Sequence, residues 1–173
     1  MKGGDGVELK EYFLRLECGD KKAFAHIYSE LKKPIFTIAY RIVQSKETAE
    51  DITHDVFVKL YTSPPDSSVK NHRAWVFQMT RNLSLDALKK KQHEDIEKAE
   101  IATDEYDFIS ARIDIENALS RLPQREREII SLHLIGGLGF WDISRIVGIS
   151  MPAAYRAYRK ALYAVREYLG GNL

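Results

Sequence analysis

Residues 136–169 read GGLGFWDISRIVGISMPAAYRAYRKALYAVREYL, and this stretch decides the fold of the second half of the chain. Apolar residues follow helical spacing over residues 140–147 and again over 151–169, with Gly148-Ile149-Ser150 between the two segments. Serine is a favoured residue at the position that precedes a helix, so Ser150 is expected to cap the second segment. A short helix, a glycine-containing turn and a longer helix are the outline of a helix-turn-helix DNA reader.

The longer of these helices carries the residues that we expect to contact duplex DNA. Its apolar positions face inward and leave the opposite side polar. In a recognition helix the N-terminal residues reach base edges while flanking arginines and lysines bind phosphates. The alternative is a solvated helix with ordinary surface charge. The candidate DNA-contacting residues are Ser150, Ala153, Tyr155, Arg156, Arg159 and Lys160.

Two further helices are predicted upstream of this motif. Residues 111–122 carry an apolar seam of Ile115, Leu119 and Leu122 that ends before a proline. Residues 124–134 form the next helix, which stops at a pair of glycines because glycine readily takes the left-handed conformation that closes helices.

The first half of the chain predicts three more helices. One runs from about residue 20 to 44, one begins after Ser45, and one has a seam that includes Trp75, Met79 and Leu83. A loop rich in serine and proline separates the second from the third. No alternating strand pattern of useful length is present, so the predicted class is all-α.

The charge distribution divides the chain into two modules. The net charge is +1, but it is +4 for residues 1–92, −7 for residues 93–120 and +4 for residues 121–173. Residues 93–110 are acidic and lack a sustained period, which predicts a flexible linker. The expected organisation is therefore a helical module over residues 1–92 and a helix-turn-helix module over residues 111–173.

The third predicted helix offers a second nucleic-acid surface. Cationic side chains and an aromatic ring could combine a grip on phosphates with stacking on an unpaired base. For Trp75 the alternative is an ordinary place in the apolar core. The candidate residues are Asn71, His72, Arg73, Trp75, Arg81, Asn82 and Lys89.

The second predicted helix carries a contiguous polar face opposite its apolar seam. Glu50, Asp51, His54 and Asp55 lie at spacings of three and four residues, which brings them together on one side of a helix. We interpret this face as a docking surface for a protein partner. The alternatives are a solvated surface and a metal site built from the carboxylates and His54.

The composition excludes several classes of function. The five histidines are scattered without paired ligand spacing, and no glycine-rich phosphate loop follows a predicted strand, so we expect no catalysis, no cofactor, no metal and no small-molecule substrate. No apolar run approaches the length of a membrane span, and the N-terminus lacks the apolar stretch of a signal peptide. The expected location is the cytoplasm.

Several segments resemble the extracytoplasmic-function (group 4) sigma factors of bacterial RNA polymerase. Residues 49–57, AEDITHDVF, resemble the family's docking helix, A-E-D-L-x-Q-E-x-F. Residues 75–90 are similar to W-L-x-x-I-A-R-N-x-x-x-D-x-x-R-R, with lysines in place of both final arginines. Residues 122–128 and 137–144 follow L-P-x-x-x-R-E and G-L-S-Y-x-E-I-A.

The resemblance implies roles for these residues. The first module would bind core RNA polymerase through Glu50, Asp51, His54, Asp55 and Phe57. The loop before the third helix would receive a flipped base of the minus-ten element, and the third helix would hold the adjacent duplex edge. The second module would read the minus-thirty-five element, and the acidic linker would thread the RNA exit path unless it is only a solvated tether. An anti-sigma factor is a possible further partner.

The recognition helix departs from the family pattern. Members usually carry a Thr-Val pair and more basic residues where this chain has Ala153-Ala154 and Tyr155. Reading of the upstream element is therefore expected to be weaker or differently targeted. Two alternatives stay open: a stand-alone helix-turn-helix regulator that binds palindromic sites as a dimer, and a sigma-like protein that acts only through protein contacts.

Overall fold

A computed structural model describes residues 5–94 and 110–170, and these residues form helices and turns with no strand. The predicted all-α class is confirmed. Most of the predicted linker, residues 95–109, lies outside the described residues. Across the two described ranges no helix is both long enough and apolar enough to pass through a membrane. The helices are α1 (Asp5–Glu17), α2 (Lys22–Val43), α3 (Lys46–Thr62), α4 (His72–Glu94), α5 (Ser110–Ser120), α6 (Gln124–Leu134), α7 (Phe140–Val147) and α8 (Met151–Gly170).

The first module packs around α2. The apolar stripe of this helix has no solvent exposure at Ile27, Leu31, Ile35 and Ile38, which confirms the predicted inward face. Helix α3 begins after Ser45, whose Oγ accepts a hydrogen bond from the backbone N–H of Thr48 at 3.4 Å. Sequence spacing and a capping residue therefore position the docking face that α3 carries.

Helix α1 was missing from the sequence prediction, which began the first helix near residue 20. Leu9, Phe13 and Leu16 are buried and lie four and three residues apart, so they form one apolar face. This face packs against α2 and α4. This apolar pattern is present in the sequence, but it covers only about two turns of helix.

Helix α4 buries a different stripe from the predicted one. Val76, Phe77, Thr80 and Ser84 are buried, whereas Trp75 and the rest of the predicted seam are only partly buried. Because α4 contacts α1, α2, α3 and α7, it is covered on more than one side and has no single apolar face. A one-sided helical pattern therefore could not identify its buried residues.

The second module consists of α5 to α8. The bounds of α6 and α7 are those predicted, and Gly148 closes α7 in the left-handed conformation with φ of 75°. Ser150 Oγ accepts a hydrogen bond from the backbone N–H of Ala153 at 3.3 Å, which confirms its capping role. The prediction that Ile115 faces inward was wrong, because this side chain is 41% exposed and α5 packs through Ala118, Leu119 and Leu122.

The two modules share an apolar core. Ile129, Leu132 and Leu138 of the second module belong to the same buried cluster as Val76 and Phe77 of α4. The turn after α6 passes close to α4: a Cβ added to Gly136 would lie 3.2 Å from two ring carbons of Phe77. Glycine at this position therefore lets the backbone of one module approach an aromatic ring of the other.

Candidate polymerase and nucleic-acid interfaces

The acidic face of α3 is a surface in the folded chain. Glu50, Asp51, His54 and Asp55 are all exposed, and His54 Nδ1 lies 3.8 Å from Asp55 Oδ1. Phe57 differs from these four because it is only 5% exposed. The structure therefore brings four of the five predicted polymerase-binding residues together on the surface.

Phe57 belongs to an aromatic cluster beneath this face. Its ring lies 4.5 Å from that of Tyr28 and 6.0 Å, edge to face, from that of Phe24. Such pairs are favourable beyond the apolar area they bury. Phe57 thus fixes the packing of α3 on α2 and so holds the acidic residues in place.

Three partly exposed side chains extend the acidic face, and sequence reasoning missed them. Tyr28, Val58 and Tyr61 are 38%, 45% and 43% exposed. Lys21 Nζ lies 4.9 Å from the centre of the Tyr61 ring. Val58 and Tyr61 follow His54 by four and seven residues, and this helical spacing places them on the same side of α3 as His54.

The predicted strand-binding residues at the start of α4 face the second module. Asn71 Oδ1 caps α4 by accepting the N–H of Ala74 at 3.1 Å, and Asn71 Nδ2 donates to Asp142 Oδ2 at 2.9 Å. Arg73 forms an ion pair with Glu30, and its Nε donates to the carbonyl oxygen of Gly136 at 3.3 Å.

Arg81 is held by a buried carboxylate of the second module. Its Nε lies 2.9 Å from Glu128 Oε2, and the side chains of Arg81 and Glu128 are 17% and 3% exposed. Gln124 Nε2 donates to the other oxygen of Glu128 at 2.8 Å. Charge-assisted bonds of this kind are stronger than bonds between neutral groups.

His72 is an interior residue. It is 4% exposed, and its ring stacks on that of Phe13 with 4.8 Å between centroids. Nε2 has no hydrogen-bond partner among the described residues. Burial lowers the pKa of His72, and the nearby Lys10 ammonium lowers it further, while Glu17 opposes them.

The remaining members of this set lie along α4. Asn82 and Lys89 are exposed, with Lys89 Nζ 3.5 Å from Asp86 Oδ1, while Trp75 is half-buried against the core. Lys10 and Lys70 line a small cleft beside His72 and were not predicted. The nucleic-acid set thus divides into exposed residues and residues engaged by the second module.

The recognition helix presents its predicted residues to solvent. Tyr155, Arg156, Arg159 and Lys160 are exposed, as is Ser150 at the start, while Ala153 is half-buried. The Tyr155 ring packs edge-on against that of Phe140 at 5.2 Å. Lys160 Nζ lies 2.8 Å from Glu126 Oε1 of α6.

An exposed tryptophan lies on the first helix of the helix-turn-helix. Trp141 is 58% exposed, and the Arg145 guanidinium lies 4.7 Å from the centre of its ring. In the sequence this residue is one position of the segment 137–144, and no pattern there predicts its exposure. Because this helix precedes the recognition helix, Trp141 and Arg145 extend the cationic and aromatic surface of the module.

The assembled surfaces define a class of protein. A helix-turn-helix with exposed arginines, a cationic α4 and an acidic face on α3 describe a DNA-reading factor with a protein-docking surface. Within residues 5–94 and 110–170 no three metal-binding side chains come together.

Comparison with protein families identifies the class more closely. Residues 27–94 match Sigma-70 region 2, and residues 112–165 match Sigma-70, region 4. The chain is 24% identical over 180 residues to the ECF RNA polymerase sigma factor SigW of Bacillus subtilis, covering 93% of this chain and 96% of that protein. It is 25% identical over 146 residues to SigE of Mycolicibacterium smegmatis, covering 78% of this chain and 57% of that protein.

Solved structures have the same fold. The sigma factor RpoE in complex with the anti-sigma factor NepR from Bartonella quintana superposes with a TM-score of 0.68 at 23% identity, over 86% of this chain and 98% of that chain. CnrH in complex with the cytosolic domain of CnrY superposes with a TM-score of 0.70 at 18% identity, over 96% of this chain and 99% of that chain. The chain belongs to the extracytoplasmic-function sigma factors. It is an alternative sigma factor of transcription initiation, with core RNA polymerase and promoter DNA as partners.

Proposed function

We propose that this sigma factor divides its work among three surfaces. The acidic face of α3 docks on core polymerase through Glu50, Asp51, His54 and Asp55, with Phe57 supporting it from below. The α4 set takes the minus-ten element. The exposed side of α8 takes the minus-thirty-five element. Residues 1–92 form the first of the two domains, residues 93–110 the linker and residues 111–173 the second domain.

The observation that carries this proposal is the exposure of the acidic face. Carboxylates on the solvent side of α3 make no ion pair with a described lysine or arginine, so they are available to a basic partner. Complementary charge across an interface speeds association and selects the partner. The stand-alone regulator alternative leaves this face without a role.

The DNA-binding part of the proposal uses both helical modules. Arg156 and Arg159 are exposed and form no ion pair with a described residue, so they can neutralise phosphates beside the bases that Ala153 and Tyr155 approach. On α4, Asn71, Arg73, Trp75, Arg81, Asn82 and Lys89 would contact the melted strand and the duplex edge. His72 would shape this surface from beneath.

The chain acts with the polymerase and performs no chemistry of its own. With a net charge of +1 it neutralises few phosphates, so its free binding to DNA should be weak at physiological salt. Its place of action would be the cytoplasm, together with the polymerase. An anti-sigma factor would be a further partner, as the anti-sigma factor NepR is for RpoE in one of the two similar complexes.

Run-off transcription with purified core polymerase over a genomic promoter library tests the proposal. The wild-type chain should direct initiation at defined sites and should co-purify with core. Arg156→Ala with Arg159→Ala should lose the sites that depend on an upstream element. Failure to associate with core, or tight palindrome-specific binding by the chain alone, would overturn the proposal in favour of a stand-alone regulator.

A further inference from the structure

A small cleft lies where the start of α4 meets α1. It has a volume of about 80 Å³ and is lined by Leu9, Lys10, Lys70, Asn71, His72 and Arg73. Three of these residues are cationic and none is acidic. A cleft walled by cations and hydrogen-bond donors is complementary to an anion.

The two lysines of the cleft have ammonium groups available to a ligand. Lys10 on α1 and Lys70 in the loop before α4 are exposed, and neither forms an ion pair with a described residue. Arg73, the third cation, is already paired with Glu30. A lysine ammonium group offers three donors and no acceptor. Because like charges repel, two ammonium groups at one cleft favour the binding of an anion between them.

The first turn of α4 adds backbone donors at the same place. Asn71 satisfies two N–H groups of this turn, since its Oδ1 accepts from Ala74 at 3.1 Å and its carbonyl oxygen accepts from Trp75 at 3.1 Å. The N–H groups of His72 and Arg73 precede these two, and the helix has no carbonyl of its own to accept them. The aligned peptide dipoles make this end of a 23-residue helix positive.

A buried imidazole points to a ligand independently of the cations. His72 lines the cleft and is 4% exposed, and its Nε2 has no hydrogen-bond partner among the described residues. A buried polar atom without a partner is costly, so such atoms are usually paired with water, an ion or a ligand. Glu17, an acidic residue of α1, acts electrostatically on His72 but does not line the cleft. An oxyanion in the cleft would bring acceptor oxygens next to this imidazole.

We propose that this cleft binds a phosphate group. A single water needs roughly 10–15 Å³ of such space, so a volume of about 80 Å³ accommodates a group of about five heavy atoms. A phosphate has this size, is negatively charged and presents acceptor oxygens on every side. A nucleoside is too large for the cleft. The expected occupant is therefore inorganic phosphate, or the terminal phosphate of a molecule whose remainder stays outside.

The phosphate site goes beyond the proposed function. That function assigns Asn71, His72 and Arg73 to the melted strand, whereas the phosphate would be held chiefly by Lys10 and Lys70. A phosphate of the DNA backbone has the same chemistry and is the other source to be tested. Because a backbone phosphate carries a sugar on both sides, it fits a cleft of this volume less well than a terminal phosphate.

Titration of the full chain with inorganic phosphate, at constant ionic strength and without polymerase, tests the site. The amide NMR signals of His72 and Arg73 should shift and saturate. Lys10→Gln with Lys70→Gln should weaken binding by about tenfold or more, as expected for the loss of two charge-assisted contacts.

The matched control is Lys22→Gln with Lys33→Gln. It removes the same charge from exposed positions of α2 and should bind phosphate as wild type does. All four lysines are exposed, so both double variants should fold, which thermal unfolding checks. Shifts that do not saturate in wild type would overturn the proposal, as would equal phosphate binding by the two double variants.

A second measurement identifies the source of the phosphate. The complex of each double variant with core polymerase is titrated with a single-stranded minus-ten oligonucleotide of a promoter from the genomic library. Equal affinities are expected and assign the cleft to a free or terminal phosphate. Weaker binding by Lys10→Gln with Lys70→Gln alone would overturn that occupant and assign the cleft to the DNA backbone. If no chain binds core polymerase while phosphate still saturates the amide shifts, the proposed function fails and the phosphate site stands.

Discussion

The guanidinium of Arg81 on α4 lies 2.9 Å from the carboxylate of Glu128 on α6, and both side chains are shielded from solvent. Both residues belong to motifs that resemble sigma factor signatures, one in each module. A pairing across the modules could not be inferred from either motif. It joins the surface proposed for the minus-ten element to the scaffold of the helix-turn-helix.

Loss of the Glu128 charge should destabilise the chain. Glu128→Gln leaves Arg81 facing a neutral group in a site with little water, and removing one partner of a buried ion pair costs about 3 kcal/mol. Urea unfolding measures this change in the free energy of unfolding. Glu126→Gln is the control on the same helix, since its partner Lys160 is exposed and the pair lies within one module; it should change stability by less than about 1 kcal/mol. Equal effects of the two substitutions would contradict the conclusion that Arg81 and Glu128 form a stabilising buried ion pair.

A methyl group at Gly136 should strain the turn after α6 and crowd the Phe77 ring of α4. The added Cβ would lie 3.2 Å from the Phe77 ring and 2.5 Å from the backbone oxygen of Leu132, so something must shift. Gly136→Ala should lower the free energy of unfolding by about 1–3 kcal/mol, the usual cost of overpacking. Gly139→Ala is the control, because a Cβ there meets nothing within 4 Å. Thermal unfolding of the two variants checks this, and a stable Gly136→Ala chain would contradict it.

The recognition helix should contribute phosphate contacts that depend on salt. Arg156→Ala with Arg159→Ala removes two exposed cations, and each lost phosphate contact lowers the slope of log affinity against log salt by about one. Binding of the polymerase complex to promoter DNA is measured at several salt concentrations. Arg166→Ala, about two turns further along α8, serves as the control and should leave the slope unchanged.

Charge on the acidic face of α3 should control docking on polymerase. Asp51→Asn with Asp55→Asn removes two exposed charges without touching the core of the module. We expect slower association with core polymerase and weaker salt dependence of the association rate, measured by surface plasmon resonance. Glu11→Gln, an exposed acidic position on α1, should behave as wild type. Unchanged docking of the double variant would place the polymerase interface elsewhere.

Stability should fall in mild acid because of His72. Burial lowers the pKa of His72 in the folded chain below the ordinary value of 6.5, so below that pH the unfolded chain binds a proton that the folded chain resists. The contribution of neutral His72 to the free energy of unfolding is therefore fully present above about pH 6.5. It is lost as the pH falls through the lowered pKa of the folded chain. His72→Phe keeps an aromatic ring against Phe13 and removes the titration.

Urea unfolding between pH 8 and pH 5 measures this effect. As the pH falls, wild type should lose stability that His72→Phe keeps, so the free energy of unfolding of the variant should rise relative to that of wild type. Parallel curves for the two chains would show that His72 is not responsible.

Local sequence determined most of the helix boundaries and the exposed faces of α3 and α8. Capping by Ser45 and Ser150 and helix closure at Gly148 are contacts among residues close in the chain, so spacing and residue type suffice to predict them. The exposure of the acidic face of α3 followed in the same way from helical periodicity. The short α1 was the exception because its apolar pattern covers only two turns.

Tertiary structure decided which of the predicted polar residues face solvent and which are paired with another part of the chain. Arg81 and Arg156 look alike in the sequence as cations on helices, yet one is held by a buried carboxylate 47 residues away and the other faces solvent. Pairing across modules depends on how two packed bodies meet, and that arrangement is set by the shared core around Phe77 and Leu132. No pattern within one helix records the charge that a distant helix brings to it, so the sequence alone could name the donors of α4 but not their partners.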